Sequence, residues 1–333
     1  MDRPVSAPLI VAIDGGNSKT DVVLADGHGA VLAAVRGPSS SPHNIGVPGT
    51  IALLGDLIQQ VRKEAGLGSE VPLDRAEVYL AGADLPVEVA TLMTAVGEAG
   101  WAAQHRVDND LFALLRAGTD NPDAIAVVCG AGINCLGRTA AGAYARFPAL
   151  GVVTGDWGGG HHLAQLALWH AVRGEDGRGP GTSLVEAIAG HFGLPTVEEV
   201  GIALHFGDIP GDRLTELAPI LFEVAAAGDG VATGVVQRQA DEIVALASVA
   251  AGRLGLRNRP VDVVLGGGVL RARHPMLHEA ILAGLAGDVP QANPVVLDAP
   301  PVTGAVLLGL DALAATDSAK AAARHSILNS RSR

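Results

Sequence analysis

The 333-residue chain has 48% hydrophobic and 17% charged residues, which is ordinary for a protein with packed cores, and it is long enough for two of them. A net charge of −12 and only 3% aromatic residues argue against a general nucleic-acid surface, which needs clustered Lys and Arg and stacking rings. No uncharged apolar window of about 18 residues appears, and the first residues lack the pattern of a cleaved leader, so we expect no membrane contact and a cytoplasmic protein.

The first motif is the stretch VAIDGGNSKTDVVLADGHGAV, residues 11–31. An apolar strand ends at Asp14, the pair Gly15-Gly16 makes a turn, and the next apolar residues alternate instead of recurring every three or four positions. The turn therefore joins two strands, whereas the glycine turns of dinucleotide folds and P-loops open a helix. Bare backbone N–H groups in such a turn can approach phosphate closely, although a tight hairpin with an acid that caps its turn fits the same letters.

After a third strand, AVLAAVRG, the segment SSSPHNIGVPG contains Asn44, and in such a Ser/Pro/Gly context asparagine is usually a turn residue. Helical patterns follow after Gly49 and at EVATLMTAVGEAGW. In VDNDLFALL a short strand passes into a helix, which places Asp108 and Asp110 at the junction. Asp is a common helix N-cap, and that is the structural role open to Asp110.

The middle of the chain repeats the first scheme. DAIAVVCGAGINCLGR again predicts strand, glycine turn and strand, and it contains both cysteines, Cys129 and Cys135. Their spacing matches no common metal site, so we expect reduced thiols in a core. A later run, VDVVLGGGVLRARHPMLHEAILAGL, differs because a helical pattern follows its glycines. The chain is therefore predicted to be α/β, with two related lobes.

Three further segments complete the pattern. GDWGGGHHLAQLALWH begins a helix, and because the adjacent His161 and His162 face different ways on it, we expect them near phosphate or solvent rather than on a metal. Residues 173–183 are rich in glycine and indicate an exposed loop. Residues 317–333 are polar and indicate a flexible tail.

Taken together, DGGNSKTD, GAGIN and the late GGG before a helix resemble the phosphate-1, phosphate-2 and adenosine segments of the ATP-binding superfamily that contains actin, the heat-shock ATPases and sugar kinases. Within it, the chain most resembles the BadF/BadG/BcrA/BcrD ATPase family and, inside that family, the N-acetylglucosamine kinases. VDNDLFALL, GDWGGGHH and PPVTGAVLLGL support the resemblance, which spans residues 9 to about 314.

The resemblance implies an α/β fold of two ribonuclease H-like lobes, the actin-like ATPase and sugar kinase fold, with an interlobe cleft. The N-terminal lobe would comprise 1–118 and be rejoined by a C-terminal helix, 302–316. The C-terminal lobe would comprise 119–301.

The resemblance also implies a site. Phosphoryl transfer needs Mg²⁺ and donors that neutralise the charge of ATP, and a base for the acceptor hydroxyl. Asp110 matches the catalytic base, with Asp108 as its rival, and Asp14 matches an acid that holds Mg²⁺ through water. The implied nucleotide ligands are Gly15, Gly16, Asn17, Ser18, Lys19, Gly130, Ala131, Gly132, Gly266, Gly267 and Gly268, and the implied sugar ligands are Asn44, Ile133, Asn134, Gly151 and Asp156.

Two positions depart from the family pattern. Ala131 stands where the family often has threonine, which removes one hydroxyl contact to ATP. Leu150 stands where a tryptophan of the sugar loop would be, which makes the identity of the sugar the open question.

The implied activity is an ATP- and Mg²⁺-dependent transfer of the γ-phosphate to the 6-hydroxyl of N-acetylglucosamine. Glucosamine, N-acetylmannosamine and N-acetylmuramate remain alternative acceptors, and a non-catalytic regulator that binds sugar and ATP is the alternative from another class. Two cysteines inside one phosphate turn cannot supply the iron–sulfur cluster of the radical-dehydratase activators. The expected partners are the amino sugar and ATP, and a homodimer is left open.

Overall fold

The structure, a computed structural model, describes residues 7–330. These residues divide into two compact units. The first comprises the described residues up to Ala126 and those from Leu297 onward, and the second comprises Val127–Val296. The division at Ala126/Val127 falls within a continuous apolar strand, where no change in composition marks it.

The described residues contain both strands and helices. The strands are β1 (Leu9–Gly15), β2 (Thr20–Asp26), β3 (Val31–Gly37), β4 (Arg75–Leu80), β5 (Gln104–Asn109), β6 (Ala124–Cys129), β7 (Ile133–Arg138), β8 (Tyr144–Arg146), β9 (Val261–Gly266) and β10 (Ala292–Val296). The α-helices are α1 (Pro42–Glu64), α2 (Pro86–Ala99), α3 (Asp110–Gly118), α4 (Gly160–Glu175), α5 (Leu184–Phe192), α6 (Val197–Phe206), α7 (Leu217–Ala226), α8 (Gly230–Arg253), α9 (Gly268–Arg271), α10 (Pro275–Asp288), α11 (Val302–Ala312) and α12 (Asp317–Ser330).

The first unit is built on a sheet in the order β3-β2-β1-β4-β5. β1 pairs antiparallel with β2 across the glycine turn, with Gly15 opposite Thr20, so the predicted strand, turn and strand are confirmed. β1 and β5 each lie parallel to β4. Residues Ile10 to Ile13 of β1 are fully buried because this strand lies inside the sheet, with α11 packed on it.

The described part of 317–333 is a helix, α12, where the sequence suggested a flexible tail. Its residues Ala319, Ala323 and Ile327 are buried, and they follow one another at four-residue intervals on one helix face. Arg324 Nη1 donates to a backbone carbonyl near the end of α3 at 2.8 Å. A narrow face of α12, made mostly of small side chains, is therefore buried within the first unit. The polar composition of the rest of the segment is why the sequence did not predict this helix. The last three residues lie outside the described part of the chain.

The second unit is built on a sheet in the order β10-β9-β6-β7-β8. β9 and β10 are parallel, and β7 and β8 are antiparallel. The predicted run of strand, glycine turn and helix corresponds to β9, the short α9 and then α10, which Pro275 begins. The loop expected at 173–183 begins later, because α4 continues to Glu175. Helices α5, α6 and α7 had no counterpart in the sequence prediction.

Within residues 7–330, no single helix is both long and apolar enough to cross a membrane. One strongly bent pair, Gly211–Ala226 with Gly230–Arg253, reaches that length and composition only when its two parts are taken together.

Both cysteines are buried and free, as expected. Burial raises the pKa of the Cys129 thiol to about 12, and it also raises the pKa of Cys135. A thiol that stays protonated is a poor nucleophile and a poor metal ligand, so the two cysteines act as core residues.

Candidate functional site

Three parallel strands of the first unit end at the same edge of the sheet. The register places Gly15 of β1 opposite Leu80 of β4, and Leu80 opposite Asn109 of β5. Asp14 therefore lies at the end of one strand, and Asp110 directly follows another. Ligands of open α/β sheets bind outside the carboxyl ends of the strands, so this edge is the candidate site.

Asp110 is the first residue of α3, but it does not cap that helix. The N-cap is Asn109, whose Oδ1 accepts the N–H of Leu111 at 3.0 Å. Burial, together with the charge of the nearby Asp84 carboxylate, raises the pKa of Asp110 to about 7. A carboxylate with a pKa near the working pH is suited to act as a general base.

Asp108, the rival base, is already engaged in hydrogen bonds. Its Oδ2 accepts from Arg106 Nη2 at 3.2 Å, and its Oδ1 accepts the N–H of Asn109 at 3.0 Å. These contacts give Asp108 a structural role at the end of β5 and favour Asp110 as the base.

Asp84 is a residue of this edge that the sequence analysis missed. It lies between β4 and α2, and its Oδ1 accepts from Asn109 Nδ2 at 2.9 Å. Asp84 thus contacts the residue that caps α3 and influences Asp110 through its charge. A strand prediction for RAEVYL, followed by GAD, would have placed this acid beside the end of β5.

His43, Asp84 and Glu88 form a group whose potential metal-ligand atoms lie within 4.8 Å of one another. Glu88 Oε2 accepts the N–H groups of Asp84 and Leu85, at 3.0 and 2.9 Å, and its Oε1 lies 2.8 Å from His43 Nε2. Glu88 therefore satisfies the orphan donors at the start of α2, and we interpret the group as a helix cap.

The phosphate-1 turn is closed by its own backbone. The N–H of Gly16 donates to the carbonyl of Lys19 at 2.8 Å, while Asn17 and Ser18 are exposed. Lys19 Nζ lies 3.8 Å from an Asp21 oxygen, so the Lys19 charge is already partly balanced. Gly15 has no room for a side chain, because a Cβ there would lie 2.3 Å from Ser40 Oγ.

Asn44 lies in the first turn of α1 rather than in an open loop. Its Nδ2 donates to Ser39 Oγ at 3.1 Å, and Ser39 Oγ donates in turn to the carbonyl of Gly16 at 3.1 Å. Gly46, with φ 70° and ψ 162°, interrupts the helix two residues later. Asn44 is therefore linked to the phosphate-1 turn by two hydrogen bonds that share the hydroxyl group of Ser39.

In the second unit, the phosphate-2 turn lies against two other glycine segments. Gly130 N–H donates to the carbonyl of Gly132 at 2.9 Å, and Gly160 N–H at the start of α4 donates to the carbonyl of Gly130 at 2.7 Å. On another side, a Cβ on Gly267 would lie 2.3 Å from the carbonyl oxygen of Cys129. The phosphate-2 turn, the start of α4 and the segment Gly266 to Gly268 are far apart in the chain, but they lie next to one another in the structure.

The sugar residues proposed in this unit follow the same turn. Ile133 is buried at the start of β7, and Asn134 Oδ1 accepts the N–H of Cys135 at 2.7 Å. Ala131 accepts the N–H of His161 at 3.1 Å through its carbonyl. The missing threonine hydroxyl therefore leaves the backbone contacts of the turn in place.

Asp156 has structural partners that the sequence did not suggest. Its Oδ2 accepts the N–H of Gly151 at 2.8 Å and lies 3.0 Å from Thr154 Oγ1. Thr154 Oγ1 also accepts the N–H of Leu150 at 3.0 Å. Asp156 therefore closes the loop in which Leu150 replaces the family tryptophan.

The two histidines at the start of α4 point to different partners. His162 Nδ1 accepts the N–H of Gly158 at 3.0 Å, and His161 Nε2 lies 3.1 Å from Gln165 Nε2. Burial lowers the pKa of His162, and the neighbouring His161 lowers it further. His162 thus helps to fix the glycine segment ahead of the helix.

Comparisons with known proteins show which proteins this chain is similar to. N-acetyl-D-glucosamine kinase of Dictyostelium discoideum is 25% identical over 92% of this chain and 99% of its own length. N-acetylmuramic acid/N-acetylglucosamine kinase of Clostridium acetobutylicum is 24% identical over 78% of this chain and 85% of its own length.

A solved structure from Chromobacterium violaceum, provisionally named an N-acetylglucosamine kinase, has 21% identity and a TM-score of 0.69, covering 91% of this chain and 99% of that one. This likeness confirms the predicted α/β fold, the actin-like ATPase and sugar kinase fold. The BadF/BadG/BcrA/BcrD ATPase family itself matches residues 11–309. Because that match extends over most of its length, the chain belongs to the BadF/BadG/BcrA/BcrD ATPase family.

Proposed function

We propose that this protein is an ATP-dependent amino-sugar kinase that transfers the γ-phosphate of ATP to the 6-hydroxyl of N-acetylglucosamine. The observation that carries the proposal is Asp110, a carboxyl with a pKa of about 7 at the carboxyl ends of three parallel strands. It follows the capping residue Asn109, and the first strand of the same edge leads into the phosphate-1 turn.

In this proposal Asp110 takes the proton of the sugar hydroxyl. The hydroxyl oxygen forms a bond to the γ-phosphorus, the bond from that phosphorus to the bridging oxygen breaks, and ADP leaves. General-base help of this kind contributes about 10²–10⁴-fold to the rate. Asn109 and Asp84 hold the start of α3, and so keep Asp110 at the end of β5.

The donor atoms at Asp14 fit a hydrated magnesium ion. Mg²⁺ prefers one or two carboxylates and keeps several waters, and Asp14 is a half-buried carboxylate beside the phosphate-1 turn. When bound, Mg²⁺ would neutralise phosphate charge. Gly15 to Lys19, Gly130 to Gly132 and Gly266 to Gly268 are the proposed nucleotide segments.

The amino sugar is supported by the names of the curated relatives, one of which acts on N-acetylglucosamine and the other on N-acetylmuramic acid as well. Asn44, Ile133, Asn134, Gly151 and Asp156 are the proposed sugar contacts. Leu150, 39% exposed beside Gly151, is where this chain would differ in its preference among amino sugars.

A panel of sugars in a coupled ADP-release assay tests the proposal. The panel contains N-acetylglucosamine, glucosamine, N-acetylmannosamine, N-acetylmuramate and glucose, each with ATP and Mg²⁺. We expect N-acetylglucosamine to give the highest kcat/KM, and ³¹P–¹H correlation to place the phosphate on O6 of the product. ADP release that no sugar stimulates would refute the proposal.

A further inference from the structure

Gln239 lies on α8 and has no exposed surface. Its Oε1 accepts the N–H of Gly159 at 3.0 Å. Its Nε2 is buried and has no hydrogen-bond partner. A buried amide that satisfies only one of its ends is costly to keep, so the bond to Gly159 needs an explanation.

Gly159 is the N-cap residue of α4, and its backbone conformation is one that other residue types cannot adopt without strain. Its φ of 86° and ψ of 155° suit glycine only. A Cβ on Gly159 would lie 2.6 Å from Gly132, and one on Gly158 would lie 2.2 Å from Gln239 Oε1. The segment thus packs tightly between Gln239 on one side and the phosphate-2 turn on the other.

The two residues after Gly159 hold the phosphate-2 turn directly. Gly160 N–H donates to the carbonyl of Gly130 at 2.7 Å, and His161 N–H donates to the carbonyl of Ala131 at 3.1 Å. A shift of Gly159 would move both donors. The bond between Gly159 and Gln239 thus anchors the segment whose next two N–H groups hold the turn, although Gln239 is not itself part of the turn.

We propose that Gln239 is a positioning residue for the nucleotide, because it fixes the start of α4 and thereby the phosphate-2 turn at Gly130 to Gly132. The inference rests on the proposed function for the presence of an ATP site, and it is independent of which sugar is phosphorylated. Because Nε2 has no partner, replacing the amide removes one interaction only, the bond to Gly159.

The test compares Gln239→Met, which keeps the length of the side chain, with the control Gln237→Met. Gln237 lies two residues earlier on the same helix, is exposed, and donates to Asp241 at 2.9 Å. The Kd of MgATP is measured by calorimetry, together with the KM for ATP, the KM for N-acetylglucosamine, kcat and Tm. We expect Gln239→Met to raise Kd and KM for ATP roughly tenfold or more, with the KM for sugar within about twofold of wild type, and Gln237→Met to change none of them.

Should Gln239→Met fail to fold, Gln239→Asn withdraws the same amide by one methylene group and is expected to give the same selective loss. A lower Tm with the affinity for ATP unchanged would overturn the inference, as would equal losses for ATP and sugar. A wild type that binds ATP but phosphorylates no sugar would refute the kinase proposal alone, since the calorimetric comparison still tests Gln239. A wild type that binds no ATP would refute both.

Discussion

At the scale of single residues, the proposed base Asp110 is expected to determine how the rate of phosphate transfer depends on pH. Burial raises its pKa to about 7, and the Asp84 carboxylate contributes to that rise. A base acts when it is deprotonated, so kcat/KM is expected to increase with pH through about 7. Asp84→Asn removes one charge but keeps an oxygen for Asn109, so the midpoint is expected to move to lower pH by up to about one unit.

The measurement is the pH–rate profile of wild type, Asp84→Asn and Asp108→Asn. Asp108→Asn is the control because the charge of Asp108 does not contribute to the raised pKa of Asp110. An unchanged midpoint in Asp84→Asn would contradict the electrostatic role of Asp84.

The same raised pKa predicts how stability changes with pH. The folded state keeps the Asp110 proton up to about pH 7, whereas the unfolded state releases it near its ordinary value of 3.8. The folded state thus binds more protons in that interval, so this group makes the free energy of unfolding fall as pH rises. Asp110→Asn is expected to flatten that fall and to have a higher Tm than wild type at pH 8. If wild type and Asp110→Asn have the same Tm at every pH from 4 to 8, that result would count against the raised pKa of Asp110.

Asp156 holds its loop and is also a proposed sugar contact, and one pair of variants separates these two roles. Loss of a charged acceptor for a sugar hydroxyl corresponds to roughly 10- to 150-fold in affinity, so Asp156→Ala is expected to weaken N-acetylglucosamine binding by that factor and to leave ATP binding unchanged. Thr154→Ala removes only the loop partner. If Thr154→Ala weakens sugar binding as much in calorimetry, Asp156 acts by holding the loop.

The sequence predicted that Asp110 is the candidate base, but it did not predict which residues surround Asp110. The pattern VDNDLFALL places an acid where a strand becomes a helix, which is local information. That Asn109 provides the cap and Asp84 provides the neighbouring charge depends on the register of β4 and β5, which no local pattern contains. The partners of Asp156, Gly151 and Thr154, are only a few residues away, but the loop has no regular periodicity from which its backbone path could be predicted.

At the scale of elements, the adenosine segment offers a matched pair of glycines. Gly267 has φ of 92° and would place a Cβ 2.3 Å from the Cys129 carbonyl oxygen, whereas a Cβ on Gly268 would meet nothing within 4 Å. Gly267→Ala is expected to lower the free energy of unfolding by at least about 1–3 kcal/mol, and Gly268→Ala by less than about 1 kcal/mol. Urea unfolding measures both, and equal effects would contradict the packing described.

The packing of α12 on the first unit can be tested with substitutions of two adjacent side chains. Ile327 is 3% exposed and Leu328 is 50% exposed. Ile327→Ala is expected to cost about 2 kcal/mol or more in unfolding free energy, and Leu328→Ala less than about 1 kcal/mol. If Ile327→Ala leaves thermal and urea unfolding unchanged, the segment does not dock.

The elements that the sequence predicted are those with strong local signals. Continuous apolar runs before glycines predicted β1 and β9, and alternating apolar residues after the first glycine turn predicted β2. α12 was missed because two of its three buried residues are alanines, which carry little hydrophobic signal in a polar segment. Helices α5 to α7 are short, and their stability depends on packing with α4 and with each other rather than on propensity.

At the scale of the whole molecule, the chain contains the same scheme twice. Each unit holds a sheet that contains a strand, a glycine turn and a second strand. The sequence revealed this repetition because both turns are local. The division between the two units falls inside β6, where no change in composition marks it.

The most direct test of the account is transfer of label from [γ-³²P]ATP to N-acetylglucosamine at pH 8, by wild type and by Asp110→Asn. The account predicts a labelled sugar phosphate from wild type, formed about 10²-fold or more slowly by Asp110→Asn, whose affinities for ATP and sugar stay within about twofold. No labelled sugar from wild type, or equal rates from the two proteins, would contradict it.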